Sequence, residues 1–104
     1  MKEIDQHTAD EYARWFRCLS DPTRIRILNI VALADGPMTV GDIVDLAGRS
    51  QSTVSRHLRV LADEQFIFAE PDGTRTLMRV NSACMSALPQ AATEIMGNSE
   101  STRP

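Results

Sequence analysis

Cysteine is scarce in this sequence: Cys18 and Cys84 are the only two, far apart and without CxxC spacing. Reduced thiols in a cytoplasmic protein are the expectation. No apolar run approaches the roughly 20 residues that a membrane helix needs. The start lacks the basic-then-apolar pattern of a secretory signal, so neither a membrane protein nor an exported one is expected. Internal repeats and low-complexity blocks are missing. So is a surplus of positive charge: 11 Lys and Arg against 14 Asp and Glu leave a net charge of −3 and a pI near 5.2. That balance does not announce a nucleic-acid partner. Nor does any third residue or substrate-binding motif accompany a Cys and His pair, so no enzyme is expected.

What is present is a chain of 104 residues, 42% hydrophobic and 24% charged, which suits one soluble globular domain. A domain of that size has a single core and gains stability by dimerising. Its acids are unevenly placed, with clusters that include Glu3, Asp5, Asp10, Glu11, Asp42, Asp45, Asp63 and Glu64, while Gly48 to Leu61 contains none. Local charge therefore departs from net charge.

Periodicity predicts a first amphipathic helix over 8–19, with Thr8 as cap and Tyr12, Trp15, Phe16 and Leu19 at three- and four-residue spacing. So large an aromatic face on a short helix suggests a second subunit as its partner, or burial within one chain. Asp21-Pro22 starts a second helix, because Asp accepts from the first free amides and Pro has the preset angle of the first helical position. Its residues Ile25, Ile27, Leu28, Ile30, Val31 and Leu33 are apolar almost all round, as in a central buried helix, and Asp35-Gly36-Pro37 stops it.

The stretch 39–64 reads as a helix-turn-helix. Thr39 caps a helix with Val40, Ile43, Val44 and Leu46 near one face, Gly48 breaks it, and Ser50 caps a second helix striped by Val54, Leu58 and Leu61. The second helix turns Gln51, Ser52, Thr53, Ser55, Arg56 and Arg59 outward, with Arg49 just before it. Gln pairs bidentately with adenine and Arg with guanine, and Ser meets several acceptors in the major groove. His57 is assigned a backbone contact to DNA or a structural bridge between helix and wing. Phe66 to Glu70 and Thr74 to Val80 predict two strands around a Pro71-Asp72-Gly73 turn, a two-stranded wing over 66–80 with Arg75 near its tip, suited to a phosphate or left as a solvated arginine. A last helix over 82–97 is capped by Asn81 or Ser82 and is kinked or divided by Pro89. Residues 98–104 read as a frayed, disordered tail.

LSDPTRIRIL followed by TVGDIVDLAGRSQSTVSRHLRVL resembles the ArsR-type winged-helix repressors of bacteria, over about Tyr12 to Val80. The resemblance implies a mainly α winged helix-turn-helix of about five helices. It also implies a homodimer built by the first and last helices, and an inverted-repeat operator of double-stranded DNA as partner. The family's cysteine pair ahead of the recognition helix is missing from TVGDIVDL. A second family site, at the two ends of the last helix, would fall on Ser82, Cys84, Ile95 and Asn98, a set that does not ligate zinc or nickel. Cys18 and Cys84 remain, either as a soft-metal, metalloid or oxidation sensor, within or across subunits, or as apolar fillers of a packed interface. The alternative function is a winged-helix protein-interaction module without specific DNA binding.

Overall fold

The computed structural model describes residues 3–97. The expected tail over 98–104 lies outside the described residues. The chain runs α1 (Gln6–Cys18), α2 (Pro22–Leu33), β1 (Met38–Thr39), α3 (Val40–Ala47), α4 (Gln51–Asp63), β2 (Ile67–Asp72), β3 (Arg75–Val80) and α5 (Cys84–Met96). Five helices surround one small antiparallel sheet, the winged helix-turn-helix arrangement.

The helix starts follow from their caps. The Asp21 carboxylate accepts from the amides of Thr23 and Arg24, with Pro22 as first helical residue. Thr39 and Asp42 form a reciprocal capping box that opens α3. The Ser50 hydroxyl accepts from the Thr53 amide to open α4. The first helix begins earlier than expected: Asp5, not Thr8, is the cap, and Thr8 supplies the amide that Asp5 accepts at 2.8 Å. Helix α5 starts later than expected and is capped by neither Asn81 nor Ser82: Ala83 holds the cap position without a side-chain cap bond, and Asn81 accepts from the Ala83 amide in the turn ahead of it. That helix continues through Pro89 undivided. The ring removes one amide bond, to the carbonyl of Met85 in the exposed first turn, where water can replace it.

The sheet has three strands in the order β1-β3-β2, against the expected two-stranded wing. Met38 and Thr39 pair with Met78 and Leu77 along the inner edge of β3. Two residues are too few to show a strand period, so pairing rather than pattern makes this strand. The wing turn also sits one step later than expected. Strand β2 runs through Pro71 to Asp72, and Gly73-Thr74 is the central pair, with Gly73 at φ 65°. Glycine at the first central position carries the positive φ that a tight hairpin needs. Pro71 is tolerated because β2 is an edge strand.

The core lies between α2, α3, α4 and the sheet, built on Ile27, Ile43, Val54, Leu58, Leu61, Phe66 and Ile67. Three expected core positions are open: Ile25 is 49% and Leu33 75% exposed on α2, and Leu46 is 62% exposed on α3. Helix α3 instead buries Ile43 and Ala47, an i, i+4 pair. Helices α1 and α5 flank this core, contributing Trp15, Leu19, Cys84 and Leu88 at its margin.

Candidate DNA-binding surface

Two turns fix the orientation of α4. Ahead of it, Gly48 takes the left-handed conformation at φ 68° that ends α3, while Arg26 from α2 donates to the free carbonyl of Ala47 at 3.2 Å. Behind it, Gln65 adopts φ 64° and closes the helix. The Phe66 amide donates to the Leu61 carbonyl and the Gln65 amide to the Ala62 carbonyl. Those two bonds are the Schellman pattern, with buried Phe66 and Leu61 as its apolar contact.

At about 100° per residue, Val54, His57, Leu58 and Leu61 share one arc of the helix. All four are buried. Ser52, Ser55, Arg56 and Arg59 occupy the opposite arc and are exposed, with Gln51 exposed at its edge. Among the described residues, Arg49, Arg56 and Arg59 join no ion pair, whereas Arg14 pairs with Glu64, Arg75 with Asp72 and Arg79 with Glu70. Arg17 on α1 is free in the same way, and the other three guanidinium groups without an ion pair or side-chain hydrogen bond among the described residues are grouped at α4 and the turn before it.

Two of the expected contact residues, His57 and Thr53, are turned away from the exposed arc. His57 is 5% exposed and faces α2, not the wing or solvent, with Nδ1 accepting from Arg24 Nη1 at 3.1 Å. Burial holds its pKa below the ordinary imidazole value, so it carries no positive charge to a phosphate at neutral pH. Thr53 is half-buried, and its hydroxyl accepts from the Ser50 hydroxyl at 3.0 Å, which occupies it in the cap. Arg75 is at the wing tip as expected, held by Asp72 at 3.2 Å. An exposed pair of this kind is worth about 0–1 kcal/mol, so the guanidinium can exchange that carboxylate for a phosphate.

Arg24, Arg26 and Arg79 were not anticipated. Arg79 lies 4.9 Å from the centre of the Phe68 ring across the wing and pairs with Glu70. Its alternation in β3 was visible, but its partners lie on the other strand. Arg24 and Arg26 follow Asp21-Pro22 in the first turns of α2, where sequence shows only interruptions of an apolar pattern.

Neither thiol belongs to this surface. Cys18 is 4% exposed, and Cys84 is half-buried at the wall of a cleft of about 380 Å³ that also touches Trp15, Gln65 and Leu88. The Cys84 Sγ donates weakly to the Gln65 carbonyl at 3.7 Å. Burial raises both thiol pKa values and keeps the thiols protonated. No group of three His, Cys, Asp or Glu side chains among the described residues can hold a metal ion. A soft-metal site within one chain does not fit these residues. Cys18, 4% exposed within its own chain, offers little surface to a site shared between chains.

The exposed, acid-free arc of α4, its capped turn and the adjacent hairpin define a winged helix-turn-helix protein of the DNA-docking type. A profile of the arsR family of bacterial regulatory proteins matches residues 21–67. The chain is 35% identical over 65 residues to an HTH-type transcriptional regulator of Methanocaldococcus jannaschii, covering 62% of this chain and 72% of that one. It is 41% identical over 66 residues to a probable mercury resistance operon repressor of Streptomyces lividans, covering 64% of this chain and 51% of that one. The match thus spans about half the length of the Streptomyces protein. The homodimeric winged helix-turn-helix DNA-binding domain of a Mycobacterium bovis protein superposes with a TM-score of 0.67 at 27% identity, covering 90% of this chain and 91% of that one. The chain belongs to the arsR family of bacterial regulatory proteins.

Proposed function

We propose that the protein is a cytoplasmic transcriptional repressor that binds an inverted-repeat operator as a homodimer. The observation that carries this is the unpaired Arg49, Arg56 and Arg59 set on and beside the exposed arc of α4, with Ser52 and Ser55 between them. In this reading Gln51, Ser52, Ser55 and Arg56 meet base edges, and Arg49, Arg59 and Arg75 meet phosphates. Two copies related by a two-fold axis place two such helices in major-groove faces about 34–36 Å apart. Thr53 and His57 take no part in contact.

The test is fluorescence anisotropy on a duplex selected by the protein from a random pool, beside a scrambled duplex, at several salt concentrations. Each phosphate contact should steepen the fall of log K with log salt by about 0.9. Arg56→Ala should lower the preference for the selected duplex by about 1–3 kcal/mol, the value of a bidentate base contact. Salt-independent or sequence-blind association would favour the protein-interaction module instead.

Relatives carry names that report resistance to mercury, cadmium and arsenicals. In this chain an inducer acting through sulfur is restricted to the Cys84 thiol, which lines a cleft and touches the residue that ends α4. Alkylation of that thiol should weaken DNA binding, and Cys84→Ser should be insensitive to the reagent. Undiminished binding after complete alkylation would remove this route.

A further inference from the structure

Arg24 ties three helices together with one side chain. Its Nε donates to the carbonyl of Cys18, the last residue of α1, at 2.6 Å. Its Nη1 donates to His57 Nδ1 in the middle of α4 at 3.1 Å. Its own amide donates to the Asp21 cap of α2 at 3.1 Å. A guanidinium has no acceptor, so His57 Nδ1 presents a bare lone pair and the neutral ring carries its proton on Nε2.

His57 is the one polar side chain that is buried among the described residues, and its arc is otherwise Val54, Leu58 and Leu61. A fourth apolar residue would satisfy packing there without desolvating an imidazole and part of a guanidinium. What the polar pair adds is direction. An apolar stripe lets a helix roll by a few degrees, whereas a hydrogen bond in a low-dielectric setting fixes one rotation.

We propose that Arg24 is a positioning residue for DNA recognition: by holding the Cys18 carbonyl and His57 Nδ1 together, it fixes the rotation of α4 relative to α1. Arg56, adjacent to His57 in sequence, is thereby aimed at the groove. The proposal rests on the DNA-binding reading and assigns to that reading a residue that touches no DNA.

The pair is also sensitive to protons. From α2, the Asp21 carboxylate attracts a proton to His57 and the Arg24 guanidinium opposes it; from α4, Arg56 opposes it too. A proton on Nδ1 would set two donors face to face and break the bond to Arg24.

The experiment compares the affinity ratio for a duplex selected by the wild-type protein and a scrambled duplex, across pH. Folding of every variant is checked by circular dichroism and cooperative unfolding. Arg24→Lys keeps the charge but replaces the rigid planar fork, which reaches the two acceptors from separate nitrogens, with a single nitrogen. It should lower the ratio about tenfold, the factor set by one charge-assisted hydrogen bond, while scrambled-duplex affinity stays unchanged. The double variant Arg24→Met with His57→Leu keeps an apolar, packable interior and should show the same lowered ratio. In the wild type the ratio should fall as pH drops below about 6.5, the ordinary imidazole value that burial pushes His57 beneath, and in His57→Leu it should not. A wild type that discriminates, with a folded double variant of equal ratio, overturns the positioning role alone. A wild type that enriches no duplex from the pool overturns the DNA reading and this role with it.

Discussion

His57 meets Arg24 only as a neutral ring, so its ionisation works against the folded state. Burial puts its folded pKa below the ordinary 6.5, and the unfolded chain therefore binds the proton first as pH falls. The stability that this residue contributes is complete above about 6.5 and is lost as pH drops from there toward the folded value. The urea midpoint should decline between about pH 7 and pH 5 in the wild type and change less in His57→Leu; equal slopes would deny His57 this part. The residue was partly legible. Three positions after Val54 and four before Leu61, it belongs by helical period to the inner arc, but a histidine among arginines and serines reads as another contact to DNA. Arg56 and Arg59 were legible for the converse reason, since an exposed arc is set by period alone. Arg24 was not, because a side chain that bridges to a residue 33 positions away leaves no local pattern.

The end of α4 shows what a missing glycine hides. Glycine marks the end of α3 at Gly48, so that boundary is visible in the sequence itself. At Gln65 the same left-handed geometry is carried by a side-chain residue, held by the Schellman bonds and by Asn81 Nδ2, which donates to the Gln65 carbonyl at 2.8 Å. A left-handed residue with a Cβ costs about 1–2 kcal/mol, and glycine returns about 0.5–1 kcal/mol of that as extra freedom in the unfolded chain. Gln65→Gly should therefore stabilise by about 0.5–1 kcal/mol, a rise in Tm of several degrees for a domain this size, read by thermal unfolding. A lower Tm would mean that the Gln65 side chain contributes more than its backbone conformation costs. Strand β1 and the exact wing turn escaped the sequence for a related reason. Two residues show no alternation, and Asp72-Gly73 and Gly73-Thr74 are both acceptable turn pairs until the register of β2 on β3 chooses between them.

The protomer is longer than a self-sufficient domain of its length should be. Its radius of gyration is 16.1 Å with extents of 53 × 26 × 23 Å, against about 13 Å for a compact chain of this size. Apolar groups remain open on α1 and α5: Phe16 is 40%, Ile95 49% and Met96 84% exposed. Phe16, Ile95 and Met96 line a groove of about 620 Å³ between the two helices, bordered by Tyr12, whose hydroxyl donates to Glu94 at 2.5 Å. Water over so much apolar surface is unfavourable, and a two-fold partner would cover the same residues on both chains at once. Under that symmetry one substitution acts twice. Fully burying a Phe side chain contributes about 1.5–3 kcal/mol, and a partner would cover only the 40% of Phe16 still open, so Phe16→Asp should cost the dimer at least about 1–2 kcal/mol, or about one decade or more in its dissociation constant once the carboxylate's desolvation is added. Sedimentation equilibrium should show the wild type dimeric and Phe16→Asp shifted to monomer. The Tm of the wild type, but not of the variant, should rise with protein concentration. Operator affinity should fall with the dimer although Phe16 lies on α1, outside the helix-turn-helix, because two half-sites are gained or lost together. A Phe16→Asp protein that stays dimeric and binds operator normally would place the subunit interface on another face.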